Sequence, residues 1–209
     1  MYWNTVSSLL RSLLEELMDC LVFNTFRLAG GTALALQLGH RVSGDINLFL
    51  DVTPDNIDFY GINFYLKRRY SYFSSSLSET GIQSFIGKNE IEIVKVDFYC
   101  TDPFIQPYQR RESIRIATVE ESIAMKIDRI QRGGRKEDFW DLHELLRSYS
   151  LESMLELHKK RYPHSHNKEL ILEKLIDFTR ADEDFEPICL KGKYWGLIKM
   201  DIIQIINGD

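Results

Sequence analysis

Two glycines and a strand-borne acid mark the part of this chain that could do chemistry. Gly30 and Gly31 stand between an apolar run and a short helical pattern. Neither carries a Cβ, so the backbone can turn tightly there and a ligand can approach it closely. Thr32 reads as the N-cap of a helix over Ala33–Leu38. Free N–H groups at such a helix start favour phosphate. From Asp45 the residues alternate as in a strand, with Asp45, Asn47 and Phe49 facing one way and Ile46, Leu48 and Leu50 the core. A carboxylate and a carboxamide therefore stand side by side near a phosphate cradle. In the later strand Ile91–Tyr99, Ile93, Lys95, Asp97 and Tyr99 share one face. Lys126 lies beside the apolar stripe of a helix, where it can reach into a cleft and meet an anion such as phosphate as a point charge. Asp138 and Asp141, three residues apart, share one face of the next helix. Plainer readings stand beside these: a capped strand-to-helix turn, a solvated strand-end acid, and two helices laced by Lys–Asp bridges.

The elements that must position these residues follow from periodicity. Val6–Leu21 carries leucines at helical spacing. A strand is expected over Phe23–Ala29, then the short helix, the strand from Asp45, and a helix over Pro54–Lys67 capped by Asp51 or Thr53. Arg68–Ser74, Ile82–Ile86 and Ile91–Tyr99 read as strands. Thr101–Arg115, with Pro103 and Pro107, reads as a loop. Thr118 and Glu121 form a capping-box pattern at the start of a helix that Gly133-Gly134 ends. Helices are expected over Lys136–Tyr149, Leu151–Arg161, Lys168–Thr179 and Tyr194–Ile206. The fold class is α/β (α+β): a mixed sheet flanked by helices over residues 1–115, then a helical part over 116–209.

The totals exclude several classes. The chain has 209 residues, 44% hydrophobic and 27% charged, with a net charge of −5, the balance of a soluble globular protein rather than a uniformly basic nucleic-acid binder. Cys20, Cys100 and Cys189 are far apart, which implies reduced thiols in a cytoplasmic protein rather than a disulfide framework. No stretch is apolar enough to span a membrane. The glycines fit neither a Walker A loop nor a dinucleotide fingerprint. Ser43 has no His–Asp partnering to make it a nucleophile. His143, His158, His164 and His166 lack metal-ligand spacing, and His164 and His166 read as solvated. Arg110, Arg111 and the run Lys159-Lys160-Arg161 are solvated charges or guides for RNA.

Gly30-Gly31-Thr32-Ala33-Leu34-Ala35-Leu36, followed by Gly39-His40-Arg41, Ser43, Asp45 and Ile46, resembles the AbiEii/AbiGii toxin family of the polymerase-β-like nucleotidyltransferases. Lys126, Arg129, Lys136, Asp138, Phe139, Asp141 and Leu142 match that family's later motif. The resemblance spans roughly residues 23–146. It implies transfer of NMP from an NTP to an acceptor hydroxyl on tRNA or protein, with Mg²⁺ or Mn²⁺, in the toxin of a toxin–antitoxin or phage-defence pair with its own antitoxin. It implies catalytic roles for Asp45, Lys126 and Asp141. Gly30, Gly31, Thr32, Arg41, Ser43 and Lys126 would bind the nucleotide, with His40 and Arg41 framing the site. Asp45, Asn47 and Asp97 would be the metal ligands. The chain departs from the family pattern at Asn47, which stands where the second metal-binding Asp is expected. That departure keeps open a degenerate nucleotide binder and a non-catalytic interaction module.

Overall fold

The computed structural model describes residues 1–208. Ser7 accepts a hydrogen bond from the Leu10 amide and starts α1 (Ser8–Asp19), whose leucines 10, 13, 14 and 17 are buried. The strand expected over Phe23–Ala29 is shorter: Leu21–Phe23 forms a 3₁₀ turn and only Arg27–Leu28 pairs, as β1. There follow α2 (Gly30–Leu38), β2 (Asp45–Leu50), α3 (Phe59–Arg69), β3 (Tyr72–Ser78), β4 (Gly81–Gly87) and β5 (Ile93–Cys100). The helix expected from Pro54 divides into a 3₁₀ turn, Pro54–Asn56, and α3. Asp58, not Asp51 or Thr53, caps α3 by accepting from the Gly61 amide.

The segment expected to be a loop contains a hairpin, β6 (Gln109–Arg111) and β7 (Ile114–Ile116). β7 is fully buried and pairs parallel with β1. Arg115, also buried, explains part of this order: its guanidinium donates to the carbonyls of Met18, Phe23 and Phe26 at 2.8–2.9 Å. The sheet order is β3-β4-β5-β2-β1-β7-β6. At its centre β2 and β5 run parallel, with Asp45 opposite Lys95 and Asn47 opposite Asp97.

The remainder is helical: α4 (Val119–Gln131), α5 (Lys136–Leu145), α6 (Leu151–Arg161), α7 (Lys168–Leu175), α8 (Thr179–Asp182) and α9 (Trp195–Asn207). Thr118 caps α4 by accepting from the Glu121 amide, as expected. The Glu121 side chain does not complete the box; it accepts from the Ile105 amide and pairs with Arg161. Arg161 is therefore buried rather than solvated. Likewise His166 is not free in water, because its Nδ1 lies 2.8 Å from Nδ1 of buried His158. One hydrophobic cluster joins α1, α3 and one face of the sheet. A second joins α4, α5, α7 and α9, with Leu34 of α2 inserted into it. Residues 188–190 strap the loop after α2: Val42 donates to the Ile188 carbonyl and Leu190 to that of His40.

Candidate active site

Strand alternation lifts Asp45, Asn47 and Phe49 out of β2, and Lys95, Asp97 and Tyr99 out of β5, onto the sheet face away from the first apolar cluster. This face forms the floor of a cleft of about 580 Å³. The N-terminus of α2 at Gly30 and Gly31 forms one edge, and α4 and α5 form the opposite wall with Lys126, Arg129 and Asp138. Arg132, Arg135 and Arg180 also line it.

On the floor, the Asn47 amide nitrogen donates to Asp45 Oδ2 at 2.8 Å. Asp97 is nearly wholly buried, and its Oδ2 accepts from Lys95 Nζ at 2.6 Å and from the Tyr99 hydroxyl at 3.1 Å. Its Oδ1 is buried with no hydrogen-bond partner. A buried carboxylate oxygen left unpaired costs free energy unless something else meets it. Burial works against the Lys95 charge, but the hydrogen bond and charge of Asp97, with Asp45 beyond, outweigh it and raise its pKa.

The expected nucleotide contacts divide. Gly30, Gly31 and Lys126 reach the cleft, whereas Thr32, Arg41 and Ser43 are buried beneath it. Thr32 is not the N-cap; α2 begins at Gly30, and the Thr32 hydroxyl donates to the Asp45 carbonyl while pairing with Ser43 Oγ at 2.7 Å. It thus fixes the start of β2. The two glycines serve different ends. Gly30 has φ +77°, a left-handed backbone that suits glycine, with open space where a Cβ would be. At Gly31 a Cβ would come within 2.6 Å of Arg41 Nη2.

Arg41 belongs to a buried ionic layer. Asp141, fully buried, accepts from Arg41 Nε at 2.6 Å and Nη2 at 2.8 Å, and from His40 Nε2 at 2.7 Å. Lys126 Nζ lies 2.7 Å from Asp141 and 2.6 Å from Asp138. Asp138 also accepts from the Arg135 amide at 2.9 Å, at the start of α5. Burial alone would raise the Asp141 pKa; the charges of Arg41 and Lys126 and the bonds from Arg41 and His40 hold it well below the usual carboxylate range. Burial likewise opposes the Lys126 charge, and the two carboxylates outweigh it and raise its pKa. Asp141 is fully buried and has no surface on the cleft; it stands behind Lys126.

Phe49, Gln83, Tyr99, Arg132, Arg135, Arg180 and Tyr162 line the cleft and were not singled out by the sequence reading. For Phe49 and Tyr99 the signal was present, since they share strand faces with Asp45 and Asp97. For Gln83 on β4 it was absent, because only non-local pairing opposite Asp97 brings it in.

A metal fits this donor set within limits. Among the described residues no group of three His, Cys, Asp or Glu side chains is disposed to hold one. Two carboxylates, one with an unpartnered oxygen, plus a carboxamide oxygen match Mg²⁺, which commonly takes one or two protein carboxylates and completes its shell with water and substrate phosphates. No helix among the described residues is long and apolar enough to cross a membrane.

Comparison with known proteins agrees with this geometry. The family described as nucleotidyl transferase AbiEii toxin, type IV TA system, matches residues 12–203. The chain is 30% identical over 199 residues to the uncharacterized protein aq_aa25 of Aquifex aeolicus, covering 88% of each. Its fold is similar to that of JHP933 from Helicobacter pylori, with a TM-score of 0.57, 17% identity, and 95% of this chain and 88% of that one covered. It is also similar in fold to MenT4, the nucleotidyltransferase toxin Rv2826c of Mycobacterium tuberculosis, with a TM-score of 0.56, 15% identity, and 94% and 83% covered.

Proposed function

The chain belongs to the AbiEii nucleotidyl transferase toxin family, and from that premise we propose that it moves a nucleoside monophosphate from an NTP to an acceptor hydroxyl, with Mg²⁺ or Mn²⁺, as a cytoplasmic toxin paired with an antitoxin. The observation that carries this reading is convergence: Gly30, Gly31, Asp45, Asp97 and Lys126, from four separate elements, meet in one cleft. The cleft lies where residues 1–115, the α/β part, adjoin the helical part from 116 onward.

The open amides at the start of α2 bind phosphate oxygens, which the helix dipole also favours. Two donors of the Lys126 ammonium are taken by Asp138 and Asp141. The third neutralises a triphosphate oxygen, and the buried carboxylates hold it in place for that. Asp45 and Asp97, with the Asn47 oxygen, hold the divalent cation, which supplies charge neutralisation and activation of the acceptor hydroxyl. Arg129, Arg132, Arg135 and Arg180 on the helical wall give an acidic chain a locally basic rim. That rim favours a tRNA over a protein among acceptors, because phosphates are what arginine forks match.

A specific observation favours a second reading, a nucleotide binder with weak turnover: Asn47 spends its amide on Asp45 and leaves two carboxylates where the superfamily supplies three. One assay separates the readings. Purified protein is incubated with each α-³²P-labelled NTP, Mg²⁺ and total tRNA, beside Asp45→Ala. Transfer by the native chain, reduced at least ~100-fold in Asp45→Ala, is the expected result. NTP-dependent thermal stabilisation without transfer would favour the weak binder. Neither transfer nor stabilisation would leave an interaction module.

A further inference from the structure

The cleft floor continues past the acids onto an open shelf. Strand register carries its rows across β4 and β3. Asp45, Lys95, Phe85 and Ser74 form one row, and Asn47, Asp97, Gln83 and Ser76 the next, all on the same face. The other face of the β3–β4 hairpin is apolar, with Phe73, Leu77, Ile82 and Ile86 packed with α3 in the first cluster. On the shelf face Ser74, Ser76, Gln83 and Phe85 are all exposed. Gln83 lines the cleft, and Phe85 continues the same strand face beyond it. The Phe85 side chain is 42% exposed. One exposed phenyl is ordinary on a protein surface. This one stands two strand spacings, about 10 Å, from Asp45.

We propose that this shelf receives unpaired bases at the end of the acceptor, with Phe85 stacking on a base and Gln83 meeting a base edge. The inference rests on the transferase reading and narrows its acceptor to a single-stranded nucleic-acid end. The two sides of the groove differ in charge. The helical wall presents Arg129, Arg132, Arg135 and Arg180, whereas the four shelf side chains are uncharged. A strand lying between them turns its phosphates to the wall and its bases to the shelf. A phenyl face, two hydroxyls and a carboxamide suit a base, which has a π-face and polar edges. A paired stem fits poorly, because its bases are stacked on one another and leave no face for Phe85. Gln83 is already oriented. Its Nε2 donates to the Tyr99 hydroxyl at 2.7 Å, which donates in turn to Asp97 at 3.1 Å. That leaves the carboxamide oxygen to accept from a base N–H.

The test is binding of short fluorescein-labelled RNAs to the full chain, read by fluorescence anisotropy without NTP. The probes are a single strand, an abasic strand with the same phosphates, and a blunt-ended hairpin of the same length. The native chain is expected to bind the single strand at least about 5-fold more tightly than either other probe. Phe85→Ala should weaken single-strand binding about 5- to 150-fold and leave the abasic strand and the hairpin unchanged. Phe85→Leu, which stays apolar but lacks the ring, should weaken it too, and Phe85→Trp should not. Arg132→Gln, on the opposite wall, should weaken the single and abasic strands alike and reduce the salt slope by about 1. Phe85 is exposed, so thermal melting of these variants should match that of the native chain. An abasic strand or hairpin bound as tightly as the single strand overturns the assignment. So does a Phe85→Ala chain that binds the single strand normally, or a native chain that binds none of the probes, the result expected for a protein acceptor. Labelled-NTP transfer to tRNA is read separately. Transfer lost in Asp45→Ala but unchanged in Phe85→Ala would overturn this inference alone. The expected binding on a chain without transfer would overturn the transferase reading alone.

Discussion

The floor of the cleft and the ionic layer beneath its wall are both built from acids and cations, yet they are organised in opposite ways. In the layer both oxygens of Asp138 and of Asp141 are paired, although His40 Nδ1 is buried without a partner. Asp141 holds His40, Arg41 and Lys126 at once, from a position with no solvent exposure. On the floor, Asp45 and Asn47 are half-buried, and Asp97 keeps an oxygen with nothing bound to it. A saturated network fixes geometry, while an unsaturated one is prepared for something that comes and goes. The comparison separates residues buried behind the cleft from residues open to it, although both kinds belong to the same family motifs.

The largest effect that could break this comparison lies in the layer. Asp141→Ala leaves Arg41 and Lys126 buried without their shared counter-charge, and should cost about 3–5 kcal/mol of stability by chemical denaturation. Asp45→Ala, on the floor, should leave stability within about 0.5–1 kcal/mol while transfer is lost. Similar destabilisation by both would mean that the floor is structural too. Acid reports on the same layer. Against burial, Lys126 and Arg129 lower the pKa of Asp138, and Arg41 and Lys126 that of Asp141. Their stabilisation is complete above the unfolded carboxyl value of about 3.9 and is lost as pH falls through the lower folded values. The share of stability from these two acids should therefore be flat from pH 7 to pH 5 and fall below about pH 4, beside a decline below about pH 6.5 from His143 and His166, whose pKa values burial lowers. A decline between pH 7 and 5 that persists with His143→Gln and His166→Gln would contradict full pairing of the two acids.

Much of the floor was legible in the sequence, and little of the layer. Alternation in two strands was enough to put Asp45 with Asn47, and Lys95 with Asp97, on shared faces, because period-2 side-chain direction is local. Thr118 and the Leu151–Arg161 helix were legible for the same reason. The juxtaposition of Asn47 with Asp97 was not, since it depends on parallel pairing across 50 residues of sequence. The β6–β7 hairpin was hidden by its prolines and by the shortness of strands that only tertiary burial stabilises. Arg41, Thr32 and Ser43 read as site contacts because they stand in the motif that carries the family resemblance. Their burial follows from the 188–190 strap and from Asp141, about 100 residues away.

A middle-sized effect tests whether the edge of the cleft belongs to the floor or to the layer. Gly31→Ala drives a methyl into Arg41 Nη2, a group held on both sides by Asp141, and should cost about 1–3 kcal/mol. Gly30→Ala meets open space and loses only the left-handed backbone preference, about 1–2 kcal/mol. It should also lower NTP affinity, since its methyl would stand where phosphate approaches. The two alanines would thus differ in kind: Gly31→Ala restored by relaxing Arg41, for instance with Arg41→Lys, and Gly30→Ala not. Rescue of both by Arg41→Lys would place Gly30 in the layer instead.

The smallest effect joins the two regions. Thr32 is buried like the layer, but its hydroxyl holds the Asp45 carbonyl and Ser43, so its influence falls on the floor. Thr32→Val keeps the shape of the side chain and removes the hydroxyl. It should cost about 0.5–1.5 kcal/mol, the net worth of an ordinary hydrogen bond. Activity should fall further than stability accounts for, because the start of β2 carries Asp45 and small displacements at such a site are costly. In kinetics this means a lower kcat with KM for NTP nearly unchanged, since the phosphate-binding amides of α2 stay in place. If KM rises instead and kcat holds, Thr32 serves the nucleotide edge rather than the acid, and the division between a saturated layer and an open floor must be drawn one residue later.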